Sequence, residues 1–195
     1  PQMELAGKTL GIVGFGRIGQ AVANIARAFG MNVLAYSRTR RPGGEVLAQY
    51  VDLDTLLAQS DFVSLHCPLT SETRHMINAE SIQKMKKGVS IVNTSRGALI
   101  NTEDLINGIK EKKVGAACLD VYEEEGDLFY EDYSGHVVQD DTLVRLIAMP
   151  NVIVSSHQAF LTQEALNNIA ATTVDNVLQF FQGTPNTQTE VCLNK

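Results

Sequence analysis

The stretch from Thr9 to Gly30 constrains the fold of this chain more than any other. It opens with a short apolar run, which predicts a buried parallel strand, and then places three glycines in the spacing G-x-G-x-x-G, at Gly14, Gly16 and Gly19. Apolar residues then recur at roughly helical spacing, so the glycine turn is predicted to open a helix. A second apolar run, at 32–36, predicts another strand directly after that helix.

Each of the three glycines has a physical role in such a unit. Gly14 allows a tight turn off the strand, Gly16 lets the backbone approach a pyrophosphate, and Gly19 lets the helix pack closely on the strand. The positive N-terminal end of the helix would face the anion. We therefore predict a dinucleotide site here. The same glycines would also suit a turn that has only a structural role.

The composition excludes several classes of protein. The 195 residues are 44% hydrophobic and 19% charged, which allows one substantial core, and the net charge of -6 argues against a nucleic-acid partner. The three cysteines, Cys67, Cys118 and Cys192, form no C-x-x-C pair, so we predict neither a metal site nor disulfides and expect a reducing cytoplasm. No signal peptide and no apolar stretch of ~18 residues is present, so no membrane partner is expected. The chain reaches its first predicted strand by Thr9, which does not resemble a natural start.

Strands and helices alternate along the chain, and the strands are continuous apolar runs. This pattern predicts an α/β fold, a doubly wound parallel sheet (Rossmann fold) of about seven strands with helices on both faces. The predicted strands are 9–13, 32–36, 49–51, 61–65, 89–93, 114–121 and 151–155. The predicted helices are one ending at Gly30, one at 53–59 capped by Asp52, one at 79–87, one at 103–112 capped by Thr102, and one at 163–182. An irregular insertion is expected before the last strand. We assign residues 1–182 to the dinucleotide-binding domain and 183–195 to a polar tail.

Ligands of such sheets bind beyond the carboxyl ends of the strands, where the strand order reverses. Polar residues lie at the ends of several of the predicted strands there, among them His66, Thr94 and Asp120. Their convergence at one edge is the strongest indication from the residues alone that the site is real.

The end of the second strand bears on the choice of cofactor. NAD-specific sites place an acidic residue there to bind the ribose hydroxyls, but this chain has Ser37 followed by Arg38. Serine leaves room for a 2′-phosphate, and arginine can bind it through two charge-assisted hydrogen bonds. Arg40 and Arg41 add positive potential. We therefore predict NADP in preference to NAD, the alternative being a solvated basic loop.

Three further residues near strand ends are candidates for chemistry: Arg96, Glu125 and His157. A carboxylate beside a histidine raises the pKa of the imidazole, and such a pair can deliver a proton to a carbonyl oxygen as hydride reaches the carbon. An arginine can bind a substrate carboxylate through two parallel hydrogen bonds. Considered singly, each has an equally simple alternative as a surface cation, a solvated glutamate or a structural histidine.

Five separated motifs resemble one family. GIVGFGRIG, DFVSLHCPLT, NTSRGALI, LDVYEEE and SSHQAF occur in the order typical of the D-isomer-specific 2-hydroxyacid dehydrogenases, and the resemblance covers essentially the whole chain. The segments EEEGDLFYEDYSGHVVQDD and HQAFLTQEAL are similar to the fermentative D-lactate dehydrogenase branch. The segment YSRTRRPGGE is more similar to the glyoxylate and hydroxypyruvate reductases.

The resemblance implies a role for each matching residue. Arg96 would bind the substrate carboxylate, His157 would donate the proton in reduction, and Glu125 would keep His157 protonated and oriented. Asp120 would bind the nicotinamide carboxamide. Further cofactor contacts are implied at Arg17, Ile18, Cys67, Pro68, Thr73 and Thr94, with Ser37 at the position of the usual acidic residue. His66, His75 and His136 match no catalytic role.

The resemblance also implies a substrate domain, built in the family from a preceding segment that is absent here and from the last helix. The chain alone is therefore expected to bind nucleotide but to turn over poorly, because half of the cleft that excludes water is missing. A homodimer and a small 2-keto or 2-hydroxy acid substrate are implied as partners, with the side chain of the acid recognised largely by the missing segment. The main alternative is a nucleotide-sensing module of the corepressor type. An S-adenosylmethionine-binding protein fits poorly, because it explains none of Arg96, Glu125 and His157.

Overall fold

A parallel β-sheet forms the centre of the protein. The structure is a computed structural model that describes residues 4–124 and 140–184. It divides into two units, Pro1–His157 and Gln158–Lys195. Within the described part of the first unit, seven parallel strands have the order β3-β2-β1-β4-β5-β6-β7, which confirms the predicted doubly wound fold. The strands are β1 Thr9–Val13, β2 Asn32–Tyr36, β3 Gln49–Tyr50, β4 Phe62–Leu65, β5 Val89–Asn93, β6 Val114–Leu119 and β7 Val152–Val154.

Helices of the first unit connect these strands. They are α1 Arg17–Ala28, α2 Leu53–Gln59, α3 Ala79–Lys84, α4 Thr102–Lys110 and α5 Asp141–Ile147. As predicted, the Asp52 side chain caps α2 by accepting from the backbone N–H of Thr55.

The predicted helices differ from the structure in three respects. Asn101, not Thr102, caps α4, because its side chain accepts from the Asp104 backbone N–H at 3.0 Å and Thr102 is already helical. Helix α3 ends at Lys84, where the chain becomes extended and Met85 packs into the core. The predicted irregular insertion contains α5, whose Leu146 is fully buried.

Side chains on the two faces of the sheet form two separate cores. On one face, Leu10 and Ile12 of β1 pack in a cluster with Ala23 and Ala26 of α1. On the other face, Val13 belongs to a larger cluster whose members also come from α2, α3, α4 and α5. This alternation follows from the period of two along a strand, and it explains why the strands appear in the sequence as continuous apolar runs.

The sheet order places the reversal point between β1 and β4. The backbone just beyond β1 bonds to both neighbours: Gly14 N–H donates to the Tyr36 carbonyl at 2.8 Å, and His66 N–H donates to the Val13 carbonyl at 2.7 Å. The loops after β2, β1 and β4 are thereby held side by side at one edge.

The second unit contains helix α6, Gln163–Phe181, with Thr162 as its N-cap. No residue of this helix is buried. The predicted end of the nucleotide domain at residue 182 stays a prediction, and most of the predicted tail lies outside the described residues. A search of the described residues finds no helix with both the length and the apolar character that a bilayer span requires.

Candidate nucleotide-binding site

The glycine turn after β1 is shaped by close backbone approaches. Gly14 has a φ of +95°, and a β-carbon built on it would lie 2.5 Å from the backbone nitrogen of Cys67. A β-carbon on Gly19 would lie 2.4 Å from the carbonyl oxygen of Gly14. Both positions therefore need glycine for packing. Gly14 allows the turn to pass beside the end of β4, and Gly19 allows α1 to pack against that turn.

Gly16 differs from these two glycines. It is the N-cap of α1 in an extended conformation, with φ of −79°, and a β-carbon there would meet nothing within 4 Å. No side chain caps the helix and no acidic residue lies in its first turn. The first-turn residues Arg17 and Ile18 are exposed. The turn thus presents open space in front of a positively polarised helix end, which is the geometry that a pyrophosphate requires.

The loop after β2 carries the basic residues predicted to select the cofactor. Ser37 is half-buried, and the exposed Arg38 guanidinium lies 3.5 Å from the Glu72 carboxylate. The Arg40 guanidinium lies 5.4 Å from the centre of the Tyr50 ring. Arg40 is therefore already engaged with an aromatic ring, whereas the contact of Arg38 is a solvent-exposed ion pair, a kind that contributes little to stability.

Hydroxyl groups of the loop after β4 and of its neighbours stabilise that loop. The Thr73 hydroxyl donates to the Pro68 carbonyl at 2.7 Å, and the Ser95 hydroxyl of the next loop donates to the Cys67 carbonyl at 2.7 Å. The His66 ring lies 2.8 Å from the Ser64 hydroxyl. Burial lowers the pKa of His66 and raises the pKa of the Cys67 thiol, so both groups are neutral near pH 7.

The loop after β5 exposes Thr94 and Arg96, and a buried amide shapes it. The Asn93 side chain, fully buried, donates to the Arg96 carbonyl at 2.9 Å and accepts from the Ser95 N–H at 3.1 Å. A β-carbon on Gly97 would lie 1.9 Å from the Tyr122 carbonyl oxygen, so this loop touches the segment after β6. Sequence reasoning missed the role of Asn93, although it stands in the NTSRGALI motif.

The ends of β6 and β7 are joined through Asp120. Its carboxylate is 5% exposed and accepts from the Ser155 hydroxyl at 2.7 Å, and its backbone carbonyl accepts from the His157 N–H at 2.7 Å. The Asp120 N–H donates in turn to the Asn93 carbonyl at 2.9 Å. His157 is half-buried, with a positive φ of 52°. Glu125, predicted to be its carboxylate partner, lies outside the described residues.

These bonds form a continuous series along one edge of the sheet. They run from the end of β2 through β1, β4, β5 and β6 to β7, so the described candidates lie at the carboxyl ends of the strands, either on the loops there or in the first turn of α1. The residues concerned are Gly14, Gly16, Arg17, Ile18, Gly19, Ser37, Arg38, Cys67, Pro68, Thr73, Thr94, Arg96, Asp120 and His157.

A histidine–carboxylate pair that the sequence analysis did not anticipate lies near this edge. The Glu123 carboxylate, 17% exposed, bonds to the His75 ring and accepts from the backbone N–H of Thr102 at 3.3 Å. Arg74 lies 3.4 Å away. His75 adopts a positive φ of 51°. Glu123 therefore connects the loop after β4, the start of α4 and the segment after β6, and nothing local in the sequence indicates this pairing.

Glu123 is expected to stabilise the fold in a pH-dependent way. Burial alone would raise the pKa of Glu123, but hydrogen bonds from His75 and Thr102 outweigh it and lower the pKa below the ordinary value of 4.5. Glu123→Gln should cost about 2 kcal/mol of unfolding free energy at pH 7. This difference should shrink as the pH falls below 4.5 and through the lowered pKa, because the wild-type carboxylate then takes up a proton.

Urea denaturation across a pH series measures this effect. Glu124→Gln is the matched control, because Glu124 is the exposed neighbour of Glu123. A pH-independent cost at Glu123 would contradict the electrostatic explanation.

A family profile and individual known proteins indicate the same family of dehydrogenases. The profile of the family described as "D-isomer specific 2-hydroxyacid dehydrogenase, NAD binding domain" matches residues 1–159. The chain is 54% identical over 179 residues to 2-hydroxyacid dehydrogenase A of Aspergillus oryzae, covering 90% of this chain and 51% of that protein. It is 47% identical over 190 residues to D-lactate dehydrogenase of Escherichia coli, covering 97% and 56%.

A solved structure agrees with these relatives. The D-lactate dehydrogenase with NAD+ from Lactobacillus jensenii superposes with a TM-score of 0.90 at 33% identity, covering 98% of this chain and 58% of that one. The chain thus spans about half the length of the curated relatives it matches.

Proposed function

The chain belongs to the D-isomer specific 2-hydroxyacid dehydrogenase family, as its NAD-binding domain, and on this premise we propose that it serves an NAD(P)-dependent reduction of a small 2-keto acid to the D-2-hydroxy acid. Its task is to hold the cofactor and to present Arg96 and His157 to a substrate bound against a second domain. The relatives reported above are named as dehydrogenases. Neither they nor the geometry favours the alternative, a nucleotide-sensing module of the corepressor type.

The described residues fit a dinucleotide. The open space at Gly16 and the uncapped start of α1 suit a pyrophosphate, which the backbone amides of Arg17 and Ile18 would bind. Asp120, at the end of β6, would accept from the carboxamide of the nicotinamide ring. Cys67, Pro68, Thr73 and Thr94, on the loops between these positions, would complete the site. When bound, the reduced cofactor supplies the hydride.

The remaining chemistry belongs to side chains of this chain. The Arg96 guanidinium is exposed, and one of its nitrogens donates to the Ser95 carbonyl at 2.7 Å, which steadies the side chain for binding a carboxylate. His157 donates a proton to the carbonyl oxygen of the substrate. Glu125 has the role of keeping that proton on His157. Because a substrate domain must close the cleft, the chain alone is expected to turn over poorly.

The observation that carries the proposal is the open cradle at Gly16 in front of α1. Titrating the chain with NADH, followed by the fluorescence of the reduced nicotinamide, tests it. Saturable binding is expected, together with little steady-state reduction of pyruvate, glyoxylate or hydroxypyruvate by the chain alone. A chain that bound no nicotinamide dinucleotide would contradict the proposal.

Ser37 and Arg38 support a preference for NADP. No carboxylate directly follows β2 in the sequence, and the solvent-exposed pair with Glu72 leaves Arg38 easy to recruit to a 2′-phosphate. Arg38→Ala is expected to weaken NADPH binding about tenfold and NADH binding by less than about twofold, since the charge-assisted contact is made only to the phosphate. Binding titrations with both cofactors measure this. A clear NADH preference in the wild type that Arg38→Ala leaves unchanged would refute it.

The proposal extends to partners and location. Helix α6, none of whose residues is buried, is suited to pack on the substrate domain. The exposed apolar residues Ile25, in α1, and Phe29, at its C-cap, suit a homodimer contact. A cytoplasmic setting would keep the free thiols of Cys67 and Cys118 reduced.

A further inference from the structure

Ser155 lies at the adjacent ends of β6 and β7, between Asp120, proposed to contact the cofactor, and His157, proposed to donate the proton. In the sheet, Leu119 of β6 is opposite Val154 of β7, and the Ser155 N–H continues this ladder by donating to the Leu119 carbonyl at 2.9 Å. Asp120 is the first residue after β6. Ser155 itself is exposed, whereas the Asp120 side chain beneath it is buried.

The hydroxyl of Ser155 constrains the Asp120 carboxylate. It donates to the Asp120 Oδ1 at 2.7 Å, the distance of a well-formed hydroxyl–oxygen hydrogen bond. A carboxylate rotates about a broad two-fold torsion, so one fixed oxygen decides where the second oxygen points. The orientation of Asp120 is therefore set from β7 and not by its own strand alone.

The same turn supports His157. The His157 N–H donates both to the Asp120 carbonyl at 2.7 Å and to the Ser155 carbonyl at 2.6 Å, and its backbone has a φ of 52°. Asp120, Ser155 and His157 thus form one hydrogen-bonded unit. A shift of the Asp120 carboxylate would alter the distance between the nicotinamide ring and the proton donor.

We propose that Ser155 is a positioning residue that orients the Asp120 carboxylate toward the carboxamide of the nicotinamide ring. This inference rests on the proposed function, because it assumes that the ring lies beside Asp120. Loss of the hydroxyl should affect only ligands that contain nicotinamide, since the pyrophosphate cradle at Gly16 belongs to a different part of the edge. ADP-ribose lacks the nicotinamide and is therefore the discriminating probe.

The test compares NADH and ADP-ribose binding to the full chain. Ser155→Ala should weaken NADH binding about tenfold, because the Asp120 carboxylate would no longer be held toward the carboxamide and that hydrogen bond would be lost. ADP-ribose binding should stay within about twofold of the wild type. Ser155→Thr, which keeps the hydroxyl, should restore NADH binding. Ser156→Ala, which removes a neighbouring exposed serine, should match the wild type.

Two outcomes would overturn this inference about Ser155 and leave the proposed function intact. One is unchanged NADH binding by Ser155→Ala, and the other is an equal loss for NADH and ADP-ribose, which would indicate a merely structural bond. A wild-type chain that bound neither ligand would instead contradict the proposed function and remove the basis of this inference with it.

Discussion

Replacing His157 with glutamine is expected to slow 2-keto acid reduction by about 10² to 10⁴-fold in an enzyme that joins this chain to its substrate domain. Glutamine keeps a polar side chain of similar reach but cannot deliver a proton to the carbonyl oxygen. Cofactor affinity should change by less than about threefold, since the contact of His157 with Asp120 runs through the backbone N–H, which the substitution retains. Steady-state rates and NADH titrations measure the two effects.

The adjacent Ser156→Ala is the matched control for this variant, because it alters the same turn without removing the imidazole. Its rate should equal that of the wild type. A His157→Gln enzyme within about tenfold of the wild-type rate would show that another group transfers the proton. A large loss of NADH affinity would show that His157 acts through the cofactor site.

Gly16→Val is expected to weaken NADH binding by at least about 100-fold while changing the unfolding free energy by less than about 1 kcal/mol. The extended φ of −79° suits any residue, and no atom lies within 4 Å of the new β-carbon, so the fold should tolerate it. The added side chain fills the space in which the pyrophosphate would lie. Equilibrium denaturation and NADH titration of one preparation give both numbers.

Gly19→Ala provides the contrast to this variant. Its β-carbon would lie 2.4 Å from the Gly14 carbonyl oxygen, so it should destabilise the chain and weaken binding together. Wild-type affinity in Gly16→Val would mean that the phosphates lie elsewhere.

The sheet was predictable because parallel strands covered on both faces are continuous apolar runs. Six of the strands align with predicted runs to within two residues at each end, and the two-residue β3 also falls within its predicted range. The glycine turn was predictable because its steric demands leave little choice of residue at 14 and 19. Local rules of this kind depend on neighbours along the chain, which the sequence displays directly.

Features that depend on distant partners were not predictable in this way. Glu123 bonds to His75, 48 residues away, and Ser155 to Asp120, 35 residues away, and no periodicity marks such pairs. The cap of α4 was misplaced because Asn101 and Thr102 are both good capping residues, and only the backbone decides between them. Helix α5 is an exception: its cap Asp140 accepts from the Leu143 N–H, a local signal like that of Asp52 at α2, and the prediction overlooked it.

The central claim is that the carboxyl edge of this sheet holds a nicotinamide dinucleotide in one defined direction. A crystal structure of the chain with NADH tests it most directly. We predict the pyrophosphate against the backbone of Gly16 to Ile18 and the nicotinamide carboxamide within hydrogen-bond distance of the Asp120 carboxylate. A nucleotide bound in the reverse direction, or away from the glycine turn, would contradict the account.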